Sequence, residues 1–451
     1  MKPLPIAVLV ATLAGAPAPV PAAAPATCAA AGHAGPALPW IRNNYDDAIA
    51  LAKARKVPVF VEAWAPWCHT CRSMRAFVFT DPSLARHAKR FVWLDIDTED
   101  PRNSAFRKRY PLEAIPCFYV IDPEDQVAKV RWVGGLTITQ LHALLDDAHA
   151  GAWTPRALLD RVAYADSVFG SGDNAGAVKA YRAVLSSAKP GWAGYGRSVE
   201  SLMYALLQTQ QLADGIALAR EALPRLGRSS SALSVSASGL NCAYSQPDSV
   251  PGRAAAIAEF EAGTRALVVD TTFAAAGDDR SGAWIELLSA RQALEDTAGA
   301  RRVADEWAAF LERAAAAATT PDQRMVYDPH RLSAYLELGQ PERAVPMLLQ
   351  SEADRPDDYN PPARLATAYL ALHRWDDALA ASDRAMLKAY GPRKLLLYQT
   401  RSDIYKGKGD ITAARRTLEG ALAYLATLPE EQRTDGRRAA LERKLAALPV
   451  Q

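Results

Sequence analysis

The sequence predicts an α/β domain with a central mixed sheet flanked by helices, followed by an all-α solenoid of paired helices. Between Trp40 and Ala150, apolar runs of strand length alternate with helix-periodic stretches. Beyond Pro155 the strand-like runs vanish and a unit of 34 to 36 residues recurs. The length of 451 residues agrees, because single cores rarely grow beyond about 250–300 residues.

Residues 1–26 read as an export signal. Met1-Lys2 gives a positive start, Ile6 to Leu13 is apolar, and Ala24-Pro25-Ala26 fits an A-x-A cleavage site. The apolar run is far shorter than the roughly 20 residues a bilayer needs. The mature chain is therefore expected to be periplasmic or secreted, with no transmembrane segment. The competing reading is a disordered Ala/Pro tail on a cytosolic protein. Cys28 lacks the small residue and upstream Leu of a lipidation site and reads as a spectator thiol. Residues 27–39 are a linker.

The α/β domain is expected over 40–150. Tyr45 to Lys56 is a helix and Val57 to Val61 a buried strand. A helix runs from Cys68 through Phe77, and Asp81-Pro82 opens a further turn. Phe91 to Ile96, Cys117 to Ile121 and Val127 to Val133 are strands, and Thr139 to His149 is a closing amphipathic helix.

The repeat region is expected over 155–450. Tyr335 and Ala344 recur as Tyr369 and Ala378, then as Tyr405 and Ala414, after Gly391-Pro392 lengthens the joint. Looser units contain Trp284, Leu287 and Ala300, and Gly172-Asp173 with Ala177 and Tyr181. Alanines let two helices approach, and aromatics fill the space between pairs, which must stack to bury their apolar faces. The pattern resembles the tetratricopeptide repeat. It is weakest over Ser229 to Gly277, where Cys242 reads as a small buried hydrophobe.

Lys and Arg number 52 against 50 Asp and Glu, a balance that gives no reason to expect nucleic acid as a partner. Five cysteines are too few for a disulfide-built fold of this length. Cys68 and Cys71 instead form a C-x-x-C where a strand gives way to a helix. Unpaired N–H groups at a helix start stabilise an anion, so a thiolate forms below the ordinary thiol pKa of about 8.5. The offset lets the sulfurs close a disulfide, with Cys68 attacking from an exposed cap and Cys71 resolving. No metal is expected, because Cys68, His69 and Cys71 lack the partners of a tetrahedral set.

Val59 through Cys71, with Trp67 before the pair, resembles the thioredoxin superfamily. Glu62, Ile115-Pro116 and Gly134 fall where that family has its buried acid, its cis-proline loop and a glycine. Trp67-Cys68 to Cys71, then Phe79-Thr80-Asp81-Pro82, then Phe91 to Asp97, resembles the thioredoxin-like C-terminal domain of the bacterial transmembrane disulfide reductase. The resemblance implies a thiol–disulfide oxidoreductase whose redox centre is the Cys68–Cys71 disulfide, with no other cofactor. It implies that Glu62 serves deprotonation of Cys71, that Pro116 faces the pair, and that Trp67, Ile115 and Gly134 help bind an extended substrate segment. The expected partners are protein thiols or disulfides, a separate redox partner that supplies or accepts electrons, and a client or partner protein on the repeats. Trp93 stands where many thioredoxins have Lys, so proton handling differs here. Cys117 stays open between a third redox thiol and a small residue in a Thr-sized space. His69 stays open between a thiolate-stabilising cation and an exposed helix-start residue. The alternative function is a chaperone-like or scaffolding protein that binds without turnover.

Overall fold

The computed structural model describes residues 38–449, apart from 111, 113, 151–155, 171–172, 189–190 and 193. The expected leader, its cleavage site and Cys28 lie outside the described residues, as do most of the linker, Gly172 and both ends of the expected repeat region.

A five-stranded sheet forms from β1 (Trp40–Arg42), β2 (Val59–Trp64), β3 (Val92–Asp97), β4 (Cys117–Ile121) and β5 (Ala128–Val133), in the order β1-β3-β2-β4-β5. The first three strands run parallel; β4 is antiparallel to β2, and β5 to β4. β2 starts two residues later than the sequence implies and runs on to Trp64, which carries it up to the redox loop. β1 was not expected, since three residues are too few to show a period.

Helices α1 (Tyr45–Arg55), α2 (His69–Ser73), α3 (Ser104–Arg109) and α4 (Ile138–Ala150) cover the sheet. Side chains on a strand alternate between faces. Val59, Val61 and Ala63 therefore pack with Leu94 and Ile96 against Ala48 of α1 and Phe106 of α3. Phe60 goes to the other face, with Trp93, Phe118, Met74 and Leu141 of α4. Glu62 shares the parity of Phe60, which sends its carboxyl towards the redox helix.

Beyond Arg156 the described chain is helical. Pairs include Asp328–Glu337 with Ala344–Asp354, Asn360–Ala371 with Trp375–Lys388, and Lys394–Lys408 with Ile411–Thr427. Ala344, Ala378 and Ala414 are fully buried in them, as the close approach of paired helices requires. The architecture is thus a thioredoxin-like α/β fold followed by a tetratricopeptide-like helical solenoid. Over the weak stretch the pairing continues as Ser230–Tyr244 and Arg253–Val268. Small residues replace the aromatic signature there. A Cβ on Gly215 would meet Cys242 Sγ at 2.5 Å, and one on Gly239 would meet Phe260 at 2.7 Å. Cys242 is fully buried.

The repeats do not simply trail behind the sheet. Helix Gly277–Ala293 and the start of Asn360–Ala371 contact the redox segment at Thr70 and Pro66, and the joint around Tyr390 to Arg393 and Gln432 contact the loop after β3 at Thr98 and Glu99.

Candidate functional site

β2 ends at Trp64 and a short turn leads to Cys68, the N-cap of α2. The Cys71 backbone N–H donates to Cys68 Sγ at 3.1 Å, so a helix-start amide serves the sulfur directly. The two sulfurs are joined as a disulfide, with Cα atoms 5.3 Å apart. α2 continues as a π-helical turn over Met74–Val78.

The Ile115–Pro116 peptide bond is cis, and the Ile115 carbonyl oxygen lies 3.8 Å from Cys68 Sγ. Gly134 donates its N–H to the Pro116 carbonyl at 2.9 Å. Its φ of +95° suits glycine, and a Cβ there would meet nothing within 4 Å. Gly135 lies closer in: a Cβ would come within 3.2 Å of Thr70 on α2.

The exposed cap expected for Cys68 is not what the fold provides. Cys68 is 5% exposed and Cys71 fully buried, in a cluster with Ala65, Trp67 and Ile115. Trp67 turns towards the repeats, donating its indole N–H to Glu99 at 3.0 Å beneath the Arg393 guanidinium, which is 4.8 Å from its ring.

Glu62 is fully buried. Burial pushes its carboxyl up to about 7, while the Arg75 guanidinium pulls it back and Asp95 pushes it further. Arg75 reaches from the π-helical turn to donate to Glu62 at 2.9 Å, pairs with Asp95 at 3.2 Å, and lies 3.4 Å over the Trp64 ring. It supplies the cation that Trp93 cannot. The sequence reading missed it; its place one turn after Cys71 was the available signal.

Cys117 is fully buried with Val61, Ala63 and Val133, on the sheet face away from Phe60. The redox pair clusters elsewhere, and burial pushes the Cys117 thiol up. His69 meets the repeats: its Nδ1 is 3.1 Å from Asp278 Oδ2, which also accepts from Thr70 at 2.8 Å, and its ring lies 4.3 Å from that of His330. Burial, then the charge of His69, pushes His330 down to about 3. Arg72 of α2 pairs with Asp358 at 2.7 Å, and Asn360 donates to the Pro66 carbonyl at 3.2 Å. These partners sit more than 200 residues from the motif, where sequence spacing carries no signal. Among the described residues no group of three or more His, Cys, Asp or Glu side chains fits a metal ion, and no helix is long and apolar enough to cross a membrane.

A sheet of this order with a bridged C-x-x-C at a helix cap, facing a cis-proline, defines a thioredoxin-like domain, here joined to tetratricopeptide-like repeats. The family model described as thioredoxin-like matches residues 40–123. The thiol:disulfide interchange protein DsbD of Klebsiella pneumoniae subsp. pneumoniae is 27% identical over 106 residues, which are 23% of this chain and 17% of that protein. Thioredoxin M4, chloroplastic, of Arabidopsis thaliana is 38% identical over 60 residues, 13% of this chain and 29% of that one. The chain thus spans less than a fifth of the length of the DsbD relatives. A tetratricopeptide repeat protein from Parabacteroides merdae ATCC 43184 is similar at 11% identity and a TM-score of 0.40, covering 64% of this chain and 98% of that one.

Proposed function

We propose that this protein is an exported thiol–disulfide oxidoreductase of the bacterial cell envelope that reduces or exchanges disulfides in protein clients. The observation that carries this reading is the Cys68–Cys71 disulfide at a helix cap, 3.8 Å from the Ile115 carbonyl beside a cis-proline. The similarity to proteins named for thiol:disulfide interchange supports it, and the leader sequence supports export.

In the reducing direction the Cys68 thiolate attacks one sulfur of a client disulfide. That S–S bond breaks and the client's other sulfur leaves as a thiolate. The Cys71 thiolate then attacks Cys68 Sγ, re-forms the internal disulfide and frees the second client thiol. Two electrons pass to the client, so a separate thiol partner must reduce the pair again. The Cys71 N–H at 3.1 Å stabilises the Cys68 thiolate. Glu62, pushed up to about 7 by burial, is suited to take the Cys71 proton near neutral pH. The repeats hold the client or the redox partner.

Binding without turnover is the second reading, favoured by the 5% exposure of Cys68. Insulin reduction by wild type, Cys68→Ser and Cys71→Ser decides between them. Turnover lost in both variants supports the enzyme; activity unchanged in both overturns it in favour of binding.

A further inference from the structure

Between the Ile115 and Gly134 edge and the helices Tyr195–Gln208, Ser230–Tyr244 and Gly277–Ala293 lies a cavity of about 440 Å³. That volume is within the roughly 300–1,000 Å³ range of ligand sites. His69, Thr70 and Ile115, the neighbours of the redox disulfide, form one side. The repeats supply the other side, with four acids and one arginine.

Glu200, Asp278, Asp279 and Glu286 all line this recess. The Arg197 guanidinium is there too, but it is tied to Asp166 at 2.9 Å. Glu286 is held by neutral donors, Asn241 at 3.0 Å and Tyr244 at 2.7 Å. Glu200 is held by the neutral Ser231 and Ser234 with the Arg197 charge nearby, and Asp279 is exposed, with the Arg280 charge acting on it. Asp279 sits beside the redox loop, since a Cβ on Gly135 would lie 3.9 Å from its Oδ1. Asp278 is 2% exposed, and its Oδ1 has no hydrogen-bond partner among the described residues. Burial raises the Glu200 carboxyl. Carboxylates crowded into a recess walled by protein repel one another and lose hydration. A cation entering the recess relieves both costs, and the redox chemistry itself needs none of these acids.

We propose that this cavity receives the lysine or arginine side chain of a client segment while a nearby cysteine of that segment engages Cys68. The site selects client disulfides with a basic residue close by. This rests on the oxidoreductase reading and adds a substrate class to it. The peptide lies along the Ile115 and Gly134 edge, and its basic side chain turns towards Asp279 and Glu200.

The test uses the full chain with its pair reduced and three short peptides that differ only beside one cysteine, which is flanked by Lys, Gln or Glu. Each cysteine carries 2-nitro-5-thiobenzoate as a mixed disulfide. Cys68 attacks the peptide sulfur and the coloured thiolate leaves; Cys71 then closes the internal disulfide and releases the peptide thiol. The wild type is expected to react at least tenfold faster with the Lys peptide than with the Glu peptide. Asp279→Asn and Glu200→Gln, made separately, are each expected to shrink that ratio severalfold. A wild-type ratio near one overturns the proposal without recourse to any variant, and so does a ratio unchanged in both variants. A wild type that releases no colour from any peptide and fails to reduce insulin removes the oxidoreductase reading instead. Rapid release that ignores charge removes only the cavity assignment.

Discussion

Glu62→Gln should make the folded protein more stable and the redox cycle slower. The Glu62 carboxyl is pushed from its ordinary value of 4.5 up to about 7, chiefly by burial. An acid raised on folding binds its proton more tightly in the folded state than in the unfolded one. Stability is therefore intact below about pH 4.5 and is lost as the pH climbs towards 7. The gap between 4.5 and about 7, at about 1.4 kcal/mol per pH unit, amounts to about 3 kcal/mol. Glutamine keeps the shape and an acceptor for Arg75 but never ionises. Its Nε2 takes the place of an oxygen such as Oε1, which already has no hydrogen-bond partner among the described residues, so the polar balance there changes little. Urea unfolding of the oxidised protein at pH 4, 6 and 8 should show the variant level with wild type at pH 4 and about 3 kcal/mol more stable at pH 8. Insulin reduction at pH 7 should fall in the same variant, because the acceptor for the Cys71 proton is gone. An equal offset at every pH, or no gain at pH 8, would refute the reasoning, since either means that Glu62 does not titrate between those limits.

Cys71→Ser should accumulate client mixed disulfides on Cys68, read by mass spectrometry of tryptic peptides; adducts on Cys117 would mean that the nucleophile is misassigned. Arg72→Ala should destabilise the chain by about 3 kcal/mol, because it strands Asp358, only 15% exposed, without its cation. The same change should speed alkylation of reduced Cys68 by iodoacetamide, and an unchanged rate would show that the repeats do not shield the sulfur. Gly134→Ala should cost about 1–2 kcal/mol through its φ of +95° alone, because space for the methyl is free. An unchanged urea midpoint would contradict that.

Local signals carried the sequence a long way. The apolar run Val57 to Val61, the C-x-x-C at a helix start and Ile115-Pro116 depend on neighbours within one or two turns of chain, and the alanines of the repeats recur at a fixed period. Sequence order therefore reports them directly. Where packing used small residues instead of a periodic aromatic, as at Gly215 against Cys242, the repeat signal faded although the helices persisted.

Tertiary structure alone decided what stands in front of the redox pair. The exposed Cys68 expected from the motif is enclosed because Asp278, Asp358 and Arg393 converge on the loops around it. The replacement for the missing lysine is Arg75, which reaches Glu62 from the helix above rather than from the strand beside it. The contacts of Asp278, Asp358 and Arg393 join residues far apart in the chain through ion pairs, hydrogen bonds and a cation–ring contact. Such contacts leave no spacing in the sequence, because they depend on where whole elements come to rest and not on the local preferences of the residues within them.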